Sequence, residues 1–195
     1  MSTFFEPGPL QTLTGTETIL PGVTVRDLWA WAMGDLRLNT NRGALAQFLV
    51  AKAVGDDRLM DDGWGNFDVR SADGTTIEVK SSAYWQSWKQ TRPSDIKFTG
   101  LMGKPWSEET GYGPESIVRA DVFVFAHNAC ADRSTYDSLR LSDWQFFVVP
   151  GHLIQQRGMK SIGLEPLRKL APSPVSWNDI ADAVTLAAAV DVALS

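Results

Sequence analysis

A helix that is apolar on nearly every side, followed by two alternating segments, most strongly limits what this chain can fold into. The segment RGALAQFLVAKAVG, residues 42–55, has Gln47 and Lys52 as its polar interior positions and ends at a glycine. This pattern is typical of a buried helix with a glycine C-cap. The segments NFDVRS and TTIEVKSS then alternate polar and apolar residues around Asp73 and Gly74, which predicts a β-hairpin. A buried helix next to a hairpin indicates an α/β protein.

The rest of the chain adds two buried strands and two further helices. The segments ADVFVFAH and WQFFVVP are apolar almost throughout, as expected of deeply buried strands. Thr24 followed by Asp27 resembles a capping box, and it predicts a helix that continues to about Asp35. Ser176 and Asp179 mark a similar start for the final helix.

The sequence carries no repeat, low-complexity segment or linker that would mark a domain boundary. Its 195 residues are enough for one domain with a sizeable core. We therefore expect a single domain over residues 1–195, with an irregular N-terminal arm (1–23), a core (42–150) and a C-terminal helix (175–195). Residues 89–115 combine Pro, Gly and charge, and they predict a long loop of the kind that often contacts substrate.

Cysteine and histidine are scarce, which limits the kinds of site that the chain can build. The single cysteine, Cys130, excludes an intramolecular disulfide, and two histidines are too few for a Cys/His zinc site. Any catalytic metal would therefore need oxygen ligands. The N-terminus has no basic segment leading into an apolar run, and no apolar stretch approaches the roughly 20 residues that cross a bilayer. We expect a cytoplasmic protein without a membrane segment.

The turn of the hairpin decides which side chains share a face. A three-residue loop over residues 72–74, with glycine in the left-handed position, pairs Ser71 with Thr75 and therefore places Asp68 opposite Glu78. A two-residue loop would instead put the two carboxylates on opposite faces. The other face carries apolar residues that are expected to pack against a helix: Phe67, Val69, Ile77 and Val79.

Two carboxylates and a lysine on one strand face form a candidate metal-dependent catalytic centre. Lys80 shares the face of Glu78, because strand side chains repeat every two residues. Adjacent carboxylates repel each other unless a cation lies between them, and oxygen ligands suit Mg²⁺, which Mn²⁺ can replace. The competing interpretation is a solvated cluster of cross-strand charges. The aromatic segment AYWQSW, directly after the strand, favours the functional interpretation.

These residues resemble the PD-(D/E)xK nuclease superfamily over roughly residues 42–150: Asp68, a gap of nine residues, and Glu78-Val79-Lys80 after the buried helix. The resemblance implies a restriction-endonuclease-like core, with a central mixed β-sheet flanked by helices in α-β-β-β-α-β order. It also implies an Mg²⁺-dependent endonuclease that hydrolyses DNA phosphodiester bonds, in restriction, repair or defence. Asp68, Glu78 and the Val79 carbonyl would bind the metal, and Lys80 would be the catalytic lysine.

The chain departs from this superfamily at two positions. Phe67 precedes Asp68 where the motif has proline, and Gln47 lies where many members carry a helix glutamate. A neutral amide binds metal less strongly, so the number of metal ions stays open, as does a descendant with weak or no activity. Gln86, six residues after Lys80, is a further candidate for contact with the attacked phosphate or a base.

DNA is the expected partner, although the net charge of −5 argues against a large non-specific nucleic-acid surface. Residues 80–104 carry five basic residues against one acid, and Trp85 and Trp88 are candidates for stacking on bases. A homodimer would supply two active centres for cutting both strands. Two alternatives remain, namely a non-catalytic nucleic-acid-binding module and a protein-interaction module. His127 and His152 have no recognisable catalytic partner.

Overall fold

The computed structural model describes residues 12–58, 65–107 and 111–192, and it divides into two compact units, Met1–Asp35 and Leu36–Ser195. The first unit contains the antiparallel strands β1 (Thr18–Leu20) and β2 (Val23–Thr24) and the helix α1 (Val25–Met33). Residues 18–24 therefore form a hairpin within the N-terminal arm that was expected to be irregular. Gly22, with a φ of +79°, permits the tight turn between the two strands. Residues 1–11 of that arm lie outside the described residues.

The predicted start of the first helix is confirmed. The backbone N–H of Thr24 donates to Asp27 Oδ2 at 2.7 Å, which is the carboxylate half of a capping box. The same carboxylate oxygen accepts a hydrogen bond from the Thr24 hydroxyl at 2.8 Å. The helix ends at Met33, two residues before the predicted end.

The second unit consists of a helix, a hairpin, a long connection with short strands, two long strands and a helical C-terminal part. Its helices are α2 (Asn39–Val54), α3 (Gly151–Gln156), α4 (Leu164–Leu170) and α5 (Ile180–Val192). Its strands are β3 (Val69–Arg70), β4 (Thr76–Ala83), β5 (Lys97–Thr99), β6 (Trp106–Ser107), β7 (Gly111–Tyr112), β8 (Val122–Asn128), β9 (Trp144–Pro150) and β10 (Ser161–Gly163).

A four-stranded mixed sheet forms the centre of this unit, in the order β3-β4-β8-β9. Strands β3 and β4 are antiparallel, β4 and β8 are parallel, and β8 and β9 are antiparallel. All seven residues of β8 are buried, as predicted for this segment. The expected central mixed sheet flanked by helices is therefore confirmed.

Both faces of the sheet are covered, which explains why its central strands are so apolar. On one face, α2 and α5 pack against the sheet and form a core of 14 buried residues that includes Val50, Val79 and Val124. On the other face, β5, β10, α3 and α4 cover a second core around Phe98, Phe123 and Phe125. Side chains of β4 alternate between the two faces, so Glu78 and Lys80 lie on the side opposite α2.

Three expectations about local structure are wrong. The buried helix expected from residue 42 begins three residues earlier, at Asn39. Phe67 does not join the core, because it precedes β3 and its ring lies between the guanidinium groups of Arg58 and Arg70. The α-β-β-β-α-β order also fails between β8 and β9, since residues 129–143 contain a short 3-10 turn and no α-helix. Antiparallel neighbours need no helical crossover.

None of the helices in the described ranges has the length and apolar character that a bilayer crossing requires. The C-terminal helix has the predicted start near Asp179, where a 3-10 turn, Trp177–Asp179, leads into α5.

Candidate functional site

Near its turn, the hairpin has the register that the sequence predicts. Val69 pairs with Ile77, and the Ser71 N–H donates to the Thr75 carbonyl at 3.0 Å. Gly74 has a φ of +95°, which is the left-handed glycine of a three-residue loop. Beyond Val69 this register breaks, because the Asp68 N–H donates to the Ile77 carbonyl at 3.0 Å, and the predicted direct pairing of Asp68 with Glu78 is not formed.

The Asp68 carboxylate links three elements at the edge of the sheet. Its Oδ1 accepts a hydrogen bond from Gln47 Nε2 of α2 at 2.9 Å, and its Oδ2 accepts one from the Val79 N–H of β4 at 2.7 Å. The predicted proximity of Gln47 to this carboxylate is therefore confirmed. Strand β3 pairs with β4 at Thr76 and Ile77 and does not extend beside Val79. The Val79 N–H on this side is therefore satisfied by the Asp68 carboxylate and not by a strand carbonyl.

This arrangement also orients the Val79 carbonyl. The N–H and C=O of one strand residue project to the same side of the strand. Because the Val79 N–H faces Asp68 and not β8, its carbonyl lies along the same open edge. A carboxylate and a backbone carbonyl are thus brought to one edge of the central sheet.

Glu78 and Lys80 lie on the neighbouring face and pair with each other. Lys80 Nζ is 2.5 Å from Glu78 Oε1, and the exposed fractions of the two side chains are 23% and 14%. The ammonium group also lies beside β5, since a Cβ placed on Gly100 would be 3.8 Å from Lys80 Nζ. The pair is therefore shielded from solvent on several sides, and a shielded ion pair is held more firmly than an exposed one.

The types of donor present fit a hard divalent cation, with Asp68 and the Val79 carbonyl at the sheet edge and Glu78 on the adjoining face. Asp68, Glu78 and the Val79 carbonyl supply oxygen atoms only, which is the ligand type that Mg²⁺ and Mn²⁺ prefer. Within the described ranges, no group of three or more His, Cys, Asp or Glu side chains that could hold a metal is present. The position of a third carboxylate is taken by the amide of Gln47.

A cleft of about 390 Å³ opens next to this pair, between α2, β4 and the connection that leads to β5. Lys80 lines the cleft, whereas neither Asp68 nor Glu78 does. Its charged and amide-bearing walls are Asn39, Arg42, Lys80, Gln86, Asp95 and Lys97. Among the described residues, three cations and one carboxylate line the cleft. Because Lys80 is paired with Glu78, Arg42 and Lys97 are the main sources of a positive potential there, in a protein whose net charge is −5.

Arg42 is a functional candidate that the sequence analysis missed. It is 4% exposed, although it carries a charge in a helix read as apolar. Ala46 and Val50 are also buried and follow it at intervals of four residues, so Arg42 lies on the buried face of α2. The spacing of four residues from Ala46 and Val50 is the sequence signal that identifies Arg42 as a buried residue.

Gln86 lies in the cleft wall and holds Arg42 in place. Its Oε1 accepts a hydrogen bond from Arg42 Nη1 at 3.0 Å, and its Nε2 donates to the Ala83 carbonyl at 2.8 Å. Because both ends of the amide are bonded within the fold, the structure brings Gln86 to the cleft as a positioning residue for Arg42. Its candidate contact with a phosphate or base stays a prediction.

The two tryptophans of this segment differ in their surroundings. Trp85 donates from Nε1 to the Ala131 carbonyl at 3.1 Å, and the guanidinium group of Arg133 stacks over its ring. Trp88 is 54% exposed and lines the cleft. Trp88 is therefore the better placed of the two for stacking on a base.

Comparison with protein-family models finds no family that matches this chain, and comparisons with curated proteins and with solved structures find no match either.

Proposed function

We propose that this protein is a divalent-metal-dependent nuclease that hydrolyses DNA phosphodiester bonds. The observation that carries the proposal is the double position of Lys80, which pairs with Glu78 of the carboxylate edge and also lines the cationic cleft. A polyanionic strand in the cleft would bring a phosphate to the ammonium group of Lys80. The carboxylate edge would then lie next to that phosphate.

The proposed roles follow from the chemistry of each group. Asp68, Glu78 and the Val79 carbonyl would hold Mg²⁺ or Mn²⁺, which would polarise a phosphoryl oxygen and make a nearby water more acidic. Lys80 would stabilise the negative charge that develops on the phosphate, since a cation in a partly dehydrated site acts strongly on such a charge. Gln47 would fix the orientation of Asp68 through its hydrogen bond.

A non-catalytic nucleic-acid-binding protein is the second candidate, and two contacts favour it. The Lys80 ammonium already neutralises Glu78, and the Gln47 amide already occupies one oxygen of Asp68. A carboxylate pair held in this way does not need a cation for its stability. In this candidate the cationic cleft binds nucleic acid, and the carboxylates and Lys80 catalyse no reaction.

Cleavage of several DNA forms tests the first candidate against the second. Supercoiled, linear duplex, branched and single-stranded DNA are each incubated with purified protein in Mg²⁺, Mn²⁺ or chelator. We expect metal-dependent cleavage of at least one form, and a loss of about a hundredfold or more in Lys80→Ala, as is typical when one electrostatic group is removed. Asp68→Asn is expected to lose both cleavage and metal affinity, measured by calorimetry.

The matched control is Lys169→Ala, because Lys169 is an exposed lysine on α4 that does not line the cleft. It should cleave at the wild-type rate. In Lys80→Ala the metal affinity should stay the same or rise, since Glu78 loses its competing ammonium partner. Undiminished cleavage by purified Lys80→Ala protein would contradict the proposed function, and DNA binding without cleavage would favour the second candidate.

A further inference from the structure

The charge of Arg42 is not matched by any carboxylate in the described part of the chain. Its three hydrogen bonds all go to neutral oxygens: Nη1 donates to the Arg37 carbonyl at 3.1 Å and to Gln86 Oε1 at 3.0 Å, and Nη2 donates to Asn39 Oδ1 at 2.6 Å. The Nε–H is buried and has no partner among the described residues. A guanidinium group offers five N–H donors, so this residue retains both charge and donor capacity.

The surroundings of Arg42 increase the positive potential there. Arg42 lies close to the N-terminus of α2, where the helix dipole is positive. The first turn of α2 has no acidic residue, and its N-cap, Leu38, makes no side-chain cap hydrogen bond. Burial lowers the pKa of the Arg42 guanidinium group, which reflects the cost of dehydrating a charge that lacks a counterion. The fold retains the buried charge of Arg42, and a bound anion would stabilise that charge.

The cleft offers a place for such an anion beside Arg42. Lys97 of β5 and Lys80 of β4 line the same cleft, together with the hydroxyl-bearing residues Ser81 and Ser82. Among the described residues of the lining, Asp95 is the acidic one. Guanidinium, ammonium and hydroxyl donors around one space match the several oxygen acceptors of a phosphate group.

We propose that Arg42 and Lys97 bind the terminal phosphate of a nucleic-acid strand in this cleft, at a position separate from the phosphate that Lys80 faces. Naming a nucleic acid as the ligand rests on the proposed function. A terminal phosphate presents three oxygens and up to two negative charges, whereas an internal phosphodiester presents two oxygens between bulky esters. Because Arg42 is almost fully enclosed, the terminal group reaches it more readily. The exposed ring of Trp88 is then available for the adjoining base.

The test compares labelled single-stranded oligonucleotides of one sequence that carry a 5′-phosphate, a 3′-phosphate or no terminal phosphate. Binding to the full-length protein is measured by fluorescence anisotropy in chelator, so that no cleavage takes place. We expect a phosphate on one end to tighten binding about tenfold or more, which is the size expected for a buried, charge-assisted phosphate contact. In Arg42→Met the three oligonucleotides should bind equally. Inorganic phosphate should displace the phosphorylated strand from the wild-type protein.

Arg140→Met is the matched control, because Arg140 is a surface arginine paired with Asp143 outside the cleft. It should keep the wild-type preference. Inorganic phosphate should raise the melting temperature of the wild type and leave that of Arg42→Met unchanged. If Arg42→Met does not fold, Arg42→Lys serves in its place, since it keeps the charge but loses the fork of donors and should lose most of the preference.

Each remaining outcome contradicts the proposal. Equal binding of all three oligonucleotides to the wild type excludes a terminal-phosphate site. A preference that survives in folded Arg42→Met places the site elsewhere. A wild type that responds to inorganic phosphate but not to a phosphorylated end binds free phosphate instead of a strand. The binding test in chelator is independent of cleavage. A protein that never cleaves DNA can still prefer a terminal phosphate, and an active nuclease can lack this preference, so the terminal-phosphate site and the nuclease activity are tested separately.

Discussion

At the scale of single residues, an amide at Gln47 determines how the Asp68 carboxylate is held. Asp68 Oδ1 accepts a hydrogen bond from Gln47 Nε2, and Oδ2 accepts one from the Val79 N–H. A glutamate at this helix position would place a further carboxylate next to Asp68 and would require a cation to offset the repulsion. The amide of Gln47 therefore orients Asp68 without adding negative charge to the edge.

A second residue with an unusual environment is His127, near the end of β8. It is 1% exposed, and neither ring nitrogen has a hydrogen-bond partner among the described residues. Gln145 lies directly across the strand pair, and the ring packs edge-on against Tyr84. Burial, together with the positive charge of Arg168, lowers the pKa of His127 from 6.5 to about 4. The imidazole is therefore neutral at pH 7.

This shift predicts how the stability depends on pH. Above pH 6.5 His127 is neutral in both the folded and the unfolded chain, so it contributes no pH dependence. As the pH falls from 6.5 towards 4, the unfolded chain binds a proton that the folded protein does not, and the folded state loses on the order of 3 kcal/mol. Urea unfolding at several pH values should show this loss in the wild type. The loss should be smaller by about this amount in His127→Phe, where carboxylates with a lowered pKa such as Asp56 still contribute as the pH approaches 4. An NMR titration midpoint of His127 near 6.5 would contradict the prediction.

At the scale of secondary-structure elements, β4 is the strand that joins the core to the site. Ile77 and Val79 point into the core under α2, while Glu78 and Lys80 point to the opposite face. A slip of one residue in the hairpin would bury the two charges and expose the two aliphatic side chains. The turn at Gly74 therefore positions the site as well as the core.

Two glycine substitutions test this dependence on the turn. Gly74 has a φ of +95° with open space around it, so Gly74→Ala should destabilise the protein by about 1 to 2 kcal/mol through backbone strain alone. Gly43 lies inside α2, also with open space and an ordinary helical φ, so Gly43→Ala should stabilise it by up to about 1 kcal/mol. Both are measured by chemical denaturation. A Gly74→Ala variant as stable as the wild type would show that the turn does not require a left-handed glycine.

The hairpin and α2 could be predicted from the sequence because their signals are local. Alternation, one glycine turn and a helix period are enough to place the loop over residues 72–74 and to bring Gln47 near Asp68. They do not show that the register breaks at Asp68. The cleft could not be predicted in this way, because Arg42, Lys80 and Lys97 come from three separate elements that only the tertiary fold brings together. The helix expected between β8 and β9 failed for a local reason. Asp132 and Asp137 accept hydrogen bonds from backbone N–H groups two residues on, and such turns compete with helix formation.

At the scale of the whole molecule, the overall charge and the local charge have opposite signs. The chain carries −5 at neutral pH, whereas the cleft has three cations and one carboxylate. A nucleic acid is therefore repelled at long range and attracted at short range. Binding is expected to depend on a few contacts in the cleft, without a broad basic surface.

The salt dependence of binding measures the number of those contacts. If Arg42 and Lys97 neutralise the two charges of the terminal phosphate and Lys80 neutralises one internal phosphate of the same single strand, three counterions are released. The logarithm of the association constant should then fall with the logarithm of the salt concentration with a slope of about −2. Lys97→Ala should reduce the steepness by about 0.7, because it removes one counterion-releasing contact, and Lys169→Ala should leave the slope unchanged. The binding is measured by anisotropy in chelator from low to moderate salt. A slope near zero would show that binding involves no electrostatic contact with phosphates. A slope of about −5 or steeper would require a cationic surface larger than this cleft.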